Sequence, residues 1–529
     1  MQRIKLRRED SGRDWKHRML GRDKLCAVVA APDARSMRRQ LVRALRETST
    51  IELRLDWLSS DAEITHFLGQ LAPIRPKATV IATCRRHEAG GRYRGSIAKQ
   101  LVHLAEAIRA GCTWYDLEVE TVRQCPPELV DVLLGDGRQL ASAHFFRGMP
   151  PNLSRVAVEL RRHRPDAIKI AAQCDSLADS RKLLDFAQKQ KTIFAVPMGD
   201  VALPVRFLAL RGKRAFAYAP IENATAPGQI TLAEMKHVYR ADDFDGRTRV
   251  YGVIGNPIGH SLSPAMQNAG FAARRMNAVY LPFLVRDLKD FLDSVGPLGI
   301  RGFSVTLPHK ERIIGRLDGC DPLAARIGAV NTVVVRGGGK LYGYNTDYVG
   351  VLRSLERRMP LRGSRVLIVG AGGAARAVAF ALAQAGAAVC VTARRHERAR
   401  SLARAVGGEA IARARVRREF FDAIVNATPV GMHPQVGCSP LEANELNCRL
   451  VFDTIYRPRL TRLLQLAVRR GIETVSGIEM FVAQGTAQWE IWTGERAPVA
   501  AMRRAVVQAV TGEENAAGKE RTVKKRATR

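Results

Sequence analysis

The 529-residue chain is too long for one ordinary hydrophobic core, and its 46% hydrophobic content can fill two to four domains. Nine cysteines without a C-x-x-C pair argue against a disulfide framework or a zinc site; they point to reduced thiols in a cytoplasmic protein, and no metal is expected. The formal charge of +33 invites a nucleic-acid partner, yet no zinc-finger spacing, helix-turn-helix signature or aromatic-interleaved basic motif accompanies it, so attraction for anionic metabolites is the better account.

The first 24 residues carry nine Lys or Arg against four Asp or Glu and lack the apolar core of a signal peptide, which reads as a flexible basic leader. Eight apolar runs follow: LCAVVA (25–30), IELRLD (51–56), ATVIATC (78–84), WYDLEV (114–119), QLASAH (139–144), AIKIA (167–171), IFAVP (193–197) and AFAYA (215–219). Amphipathic segments such as SMRRQLVRAL separate them, and this alternation is the sequence form of an α/β fold, here a (β/α)8 barrel over 25–240, with a doubly wound sheet as the alternative.

In a barrel, reactive groups belong at the carboxyl ends of strands. Glu52, Arg54, Arg85, Glu118, His144 and Lys169 fall at or near such ends. Each alone could be a satisfied core residue or a rim ion pair. A lysine inside an apolar strand poses the sharper question, because burial disfavours its charged form and leaves an amine able to attack a carbonyl.

ADDFDGRT (241–248) is polar enough for a linker. Beyond it, 249–350 is expected to form a substrate lobe, 351–480 a nucleotide domain, 481–510 a helical return to the substrate lobe, and 511–529 a charged tail. Segment 364–394 reads strand, glycine turn, helix, strand; Gly370, Gly372 and Ala375 fit G-x-G-x-x-A, which sets backbone N–H groups against a pyrophosphate. Its apolar run 377–393 is broken by Gln384 and Gly386, so it is not a membrane span. Arg394 and Arg395 stand where an NAD-type domain would offer an acid, and guanidinium suits the 2′-phosphate of NADP. SLSP, VTLPHK, GAVNT and YNTD supply Ser261, Ser263, Lys310, Asn331, Asn345 and Asp347 outside the nucleotide domain.

The first-half motifs IELRLD, TCRR, SAH, IKI, MGDVALPVR and TAPGQ, in this order, resemble the type I 3-dehydroquinate dehydratases. The resemblance implies a Schiff base at Lys169, proton shuttling by His144, and orientation of His144 by Glu52. It also implies substrate contacts from Arg54, Arg85, Arg206, Thr225 and Gln229. Phe145, Ala202, Val205 and Ala89 depart from the family pattern. From residue 249 to 510, SLSP, VTLPHK, GAVNT, YNTD, GAGGA, NATPVGM, VFDTIY and GIEMFVAQ resemble the shikimate dehydrogenases. That resemblance implies Lys310 and Asp347 as the catalytic pair and Ser261, Ser263, Thr306, Asn331, Asn345 and Gln484 at the substrate. Gly370, Ala371, Gly372, Gly373, Ala374, Arg394, Arg395, Thr428 and Gly477 would meet NADP, while Ala393 and Ser304 replace family asparagines. The pairing is similar to the bifunctional enzymes of plants and implies dehydration of 3-dehydroquinate, then NADPH reduction of 3-dehydroshikimate to shikimate. Two alternatives stay open: a catabolic quinate or shikimate dehydrogenase preferring NAD, and a dehydrogenase fused to an impaired dehydratase-like domain.

Overall fold

The computed structural model describes residues 23–74, 76–190, 192–212, 216–222, 229–432 and 434–512. The expected leader lies almost wholly outside these residues, as do Thr225 and most of the expected charged tail. The chain divides into two compact units, one of residues up to Thr248 together with Lys289–Ser294, the other of the remainder.

The first unit contains eight parallel strands, β1 (Leu25–Val29), β2 (Thr50–Arg54), β3 (Thr79–Thr83), β4 (Trp114–Glu118), β5 (Arg138–Phe145), β6 (Ala167–Gln173), β7 (Ile193–Met198) and β8 (Ala217–Pro220). Each expected strand is present. Their spatial order is sequential and β8 returns to β1, with Cys26 opposite Tyr218, so the sheet curls into a (β/α)8 barrel; among the described residues only the β7 and β8 neighbours lack a ladder. Several helices between strands start on side-chain caps. Asp33, Ser60, Ser96 and Ser176 each accept from the N–H three residues on, which satisfies a donor that the first turn cannot pair itself.

Alternate residues of each strand point inward. Cys26, Ile81, Trp114, Leu140, Ala167 and Phe194 form one apolar layer with Phe216 and Tyr218 packed against it. That apolar layer borders the charged residues of the site. The expected linker at 241–248 is no free tether: Ala241 and Phe244 are buried, and Phe244 meets Phe207 at 6.2 Å between ring centroids.

The second unit holds two six-stranded sheets. One has the order β10-β9-β11-β13-β14-β12, from β9 (Arg249–Gly255), β10 (Ala278–Leu284), β11 (Ile300–Val305), β12 (Gly319–Cys320), β13 (Thr332–Val335) and β14 (Leu341–Tyr344), with β13 antiparallel to both neighbours. The other is wholly parallel: β15 (Arg365–Val369), β16 (Ala388–Thr392), β17 (Glu409–Ala410), β18 (Phe421–Asn426), β19 (Cys448–Asp453) and β20 (Glu473–Val475), in the order β17-β16-β15-β18-β19-β20. This is the doubly wound dinucleotide-binding order, in which ligands bind where the winding reverses, here between β15 and β18. The helix Gly477–Thr493 runs straight through the expected boundary at 480 and packs on both Asp347–Leu355 and the first sheet. No helix among the described residues is long and apolar enough to cross a membrane.

Candidate active sites

Lys169 sits in the fully buried body of β6 and is 3% exposed. Burial does not leave its amine bare: Nζ donates to Asp116 Oδ2 in β4 and lies 3.7 Å from Glu52 Oε1 in β2. Asp116 is 1% exposed and also accepts from Arg85 at 3.1 Å and from the Ser142 hydroxyl. Desolvation works against its carboxylate, but Lys169 and then Arg85 outweigh that penalty and hold Asp116 below the usual carboxylate range. The Tyr218 ring lies under the ammonium, 4.9 Å from Nζ, and its buried hydroxyl has no hydrogen-bond partner among the described residues.

His144, on β5, meets this cluster with its Nδ1 buried and likewise without a partner. Burial, then the cations Arg85, Lys169 and Arg54, hold its imidazole well below 6.5. No hydrogen bond joins Glu52 to His144 among the described residues: His144 Nδ1 is unpaired, and Glu52 Oε1 accepts from Thr83 at 2.9 Å instead. Ala89 is also buried, and a methyl side chain can hold no imidazole N–H. Arg54 is fixed by two hydrogen bonds to Asp56, at 2.9 and 2.8 Å, which raise its already high pKa. Burial pulls Arg206 down to about 10, and its guanidinium donates to Pro197 O at 3.1 Å.

Glu52, Arg54, Arg85, His144, Lys169, Arg206 and Gln229 all line one cavity, joined by Tyr218. Phe145, Ala202 and Val205 do not line it: Ala202 and Val205 are fully buried, and Phe145 packs on the core around Ala141 and Ile170. These departures are packing changes behind the site. Glu118 points elsewhere, accepting from Gln100 at 2.8 Å and from the Arg86 N–H at 3.1 Å. Asp116 is the residue that sequence reading missed, although its signal was the one used for Lys169, a charge on the inward face of an apolar strand.

In the second unit, Asp347 opens the helix Asp347–Leu355 and accepts from Lys310 Nζ at 2.6 Å and from Asn331 Nδ2 at 2.8 Å. Asn345 caps this turn from behind, its Oδ1 accepting from the Asp347 N–H at 3.0 Å while its Nδ2 donates to Ala329 O at 2.9 Å. Thr306 follows β11 and presses its methyl toward Gly255, where a Cβ would lie 2.6 Å away. Gln484 faces the same helix, since a Cβ at Gly350 would meet Gln484 Cβ at 3.2 Å. Ser263 begins the helix Ser263–Ala273, and its N–H donates to Ser261 Oγ at 3.3 Å. Ser304 is absorbed into a buried chain: its hydroxyl pairs with Tyr280 and donates to Gln488 at 2.9 Å.

At the nucleotide end, Gly370 follows β15 with φ of 122°, and a Cβ there would lie 2.9 Å from Ala427 O, so only glycine fits. Gly372 heads the helix Gly373–Gln384 without a side-chain cap, and Ala371, Gly373 and Ala374 complete the turn. Its first N–H groups are thus available to an anion. Arg394 and Arg395 are exposed just past β16. Thr428 is pinned beside β18 by its own hydrogen bond to Asn426 at 2.7 Å, and a Cβ on Gly477 would lie 2.4 Å from Ile455 C. These features fit a dinucleotide with a third phosphate. Among the described residues no cluster of His, Cys, Asp or Glu could hold a metal ion.

The family model for type I 3-dehydroquinase matches residues 25–244. Models for the shikimate dehydrogenase substrate binding domain, the shikimate / quinate 5-dehydrogenase and the shikimate 5′-dehydrogenase C-terminal domain match 253–333, 353–432 and 477–507. The bifunctional 3-dehydroquinate dehydratase/shikimate dehydrogenase of Arabidopsis thaliana, a chloroplastic protein, is 33% identical over 499 residues, spanning 90% of this chain and 82% of its own. Shikimate dehydrogenases (NADP(+)) of Moorella thermoacetica and Symbiobacterium thermophilum are 46% and 43% identical, covering 50% and 51% of this chain and 94% and 97% of theirs.

Proposed function

The chain belongs to the family of bifunctional 3-dehydroquinate dehydratases/shikimate dehydrogenases, and from that premise we propose how its residues divide the work. It is a lyase and an NADP-dependent oxidoreductase of the shikimate pathway, dehydrating 3-dehydroquinate and reducing the resulting 3-dehydroshikimate to shikimate.

In the barrel, Lys169 condenses with the substrate ketone. The protonated imine draws electrons from the neighbouring carbon, whose proton becomes acidic. His144, kept neutral by burial and by three cations, takes that proton and returns it to the departing hydroxyl, which leaves as water. Arg54, Arg85, Arg206 and Gln229 orient the carboxylate and hydroxyls. In the second unit, Lys310 and Asp347 pass a proton to the ketone oxygen, while Ser261, Ser263, Thr306, Asn331, Asn345 and Gln484 fix the ring. Gly370–Ala374 would hold the pyrophosphate of NADPH, Arg394 and Arg395 would hold its 2′-phosphate, and Thr428 and Gly477 would hold its nicotinamide end; when bound, the cofactor would supply hydride.

One observation carries the dehydratase assignment: a lysine buried against a carboxylate opens onto the same cavity as a histidine and three arginines. Phe145, Ala202 and Val205 lie outside the cavity, which favours an active barrel, while Ala89 is the departure adjacent to the site, beside the cavity-lining Gly90. Two exposed arginines after β16 favour NADP over NAD. A cytoplasmic location agrees with nine unpaired cysteines. Following NADPH absorbance with 3-dehydroquinate, and separately with 3-dehydroshikimate, tests the reading. Wild type should respond to both and Lys169→Ala only to the second; a Lys169→Ala protein that still responds to 3-dehydroquinate refutes the Schiff base.

A further inference from the structure

The Lys169 nitrogen carries the same charge at the start and end of its reaction. Ammonium plus ketone gives protonated imine plus water: the C–N bond forms, the C–O bond breaks, and two nitrogen protons leave with the oxygen. Only the intervening amine and carbinolamine are neutral. A fixed negative charge beside Nζ would therefore favour both cationic ends over the neutral middle.

Asp116 is placed to do this. It touches Nζ directly, whereas Glu52 stands 3.7 Å away with the same oxygen engaged by Thr83. Ser142 and Arg85 fix its two oxygens, so the carboxylate stays in register while the nitrogen changes partners. We propose that Asp116 is the resident counterion of Lys169, a positioning residue that retains the imine in its protonated, electron-withdrawing form. The proposal rests on the Schiff-base reading above. The other titratable or charged groups facing the pair are Cys26 on β1, Glu52 and Arg54 on β2, Arg85 after β3, Glu118 on β4, His144 on β5 and Tyr218 on β8. Glu52 and Glu118 are the nearby carboxylates, and the latter is bonded to Gln100 and the Arg86 N–H.

The test uses the full-length chain, with 3-dehydroshikimate reduction as an internal check. Asp116→Asn should lower kcat for 3-dehydroquinate by at least about a hundredfold, since one partner of a buried charge pair is lost, and move the alkaline limb of the kcat profile to lower pH. Borohydride adds hydride to the imine carbon and converts the protonated imine to a stable secondary amine. The mass-shifted fraction at pH 8 should fall in the variant while reduction of 3-dehydroshikimate is unchanged. Wild-type kcat with an unmoved limb overturns the proposal, as does a loss equal at every pH with trapping intact. If the asparagine barrel fails to fold, Ser142→Ala decides: a limb displaced to lower pH supports the role and an unmoved one overturns it. Wild type that neither dehydrates 3-dehydroquinate nor is trapped at Lys169 overturns the Schiff-base reading, and this inference with it.

Discussion

Asp347→Asn separates proton transfer from simple packing in the second unit. Asp347 is 7% exposed, and its oxygens accept from Lys310 at 2.6 Å and Asn331 at 2.8 Å. Asparagine keeps the volume but turns one acceptor into a donor, which must then face either an ammonium or an amide NH2. Losing a charge-assisted hydrogen bond costs roughly 1.5–3 kcal/mol, or about ten- to a hundredfold in rate. Losing a positioned proton partner costs roughly 10²–10⁴-fold. Both losses act through the Lys310 nitrogen and do not add, so the larger governs. We expect kcat/KM for 3-dehydroshikimate to fall by roughly 10²–10⁴. The Lys310 and Asp347 side chains keep only 21% and 10% of their surface in water, so the stability loss should be roughly 1–3 kcal/mol. Steady-state NADPH oxidation measures the rate, and dehydration of 3-dehydroquinate in the same preparation controls for protein quality. A variant within about threefold of wild type, folded and dehydrating normally, would remove Asp347 from the proton path.

Three further outcomes are expected. Gly370→Ala forces a Cβ within 2.9 Å of Ala427 O at a φ of 122°; the KM for NADPH should rise at least about tenfold with dehydratase activity unchanged, and an unaltered KM would show that the turn does not meet the cofactor. Arg394→Ala combined with Arg395→Ala should weaken NADPH by roughly ten- to a hundredfold and leave NADH nearly unaffected; equal losses on both cofactors would place these arginines away from the 2′-phosphate. For His144, burial and neighbouring cations lower the folded pKa below 6.5, so the unfolded state takes the proton first and the stability that depends on a neutral imidazole is present above 6.5 and lost as pH falls below it. The acid limb of dehydratase kcat should therefore lie clearly below 6.5, and a limb at or above that value would mean that the imidazole titrates as if solvated.

The eight apolar runs located all eight barrel strands, because a strand buried on both faces must be apolar nearly throughout and then betrays any charge it contains. Gly370 was legible for a similar reason: a turn needing positive φ admits few residues, so the glycine pattern carries its own geometry. Short motifs likewise exposed Lys310, Asn331 and Asp347, which lie on separate segments but meet within hydrogen-bond distance. What stayed hidden was pairing. Nothing local distinguishes Asp116 from Glu118, two residues apart on β4, yet one bonds Lys169 and the other Gln100 and the Arg86 N–H. Nor does the chain reveal that Glu52 bonds Thr83 rather than holding His144, or that Phe145, Ala202 and Val205 lie behind the cavity rather than in it. Sequence determined which residues face inward, since strand alternation is a local property of the backbone. Only the curled barrel decided which inward charges touch, because strand stagger and curvature, set by the strands together, bring residues 53 positions apart into contact.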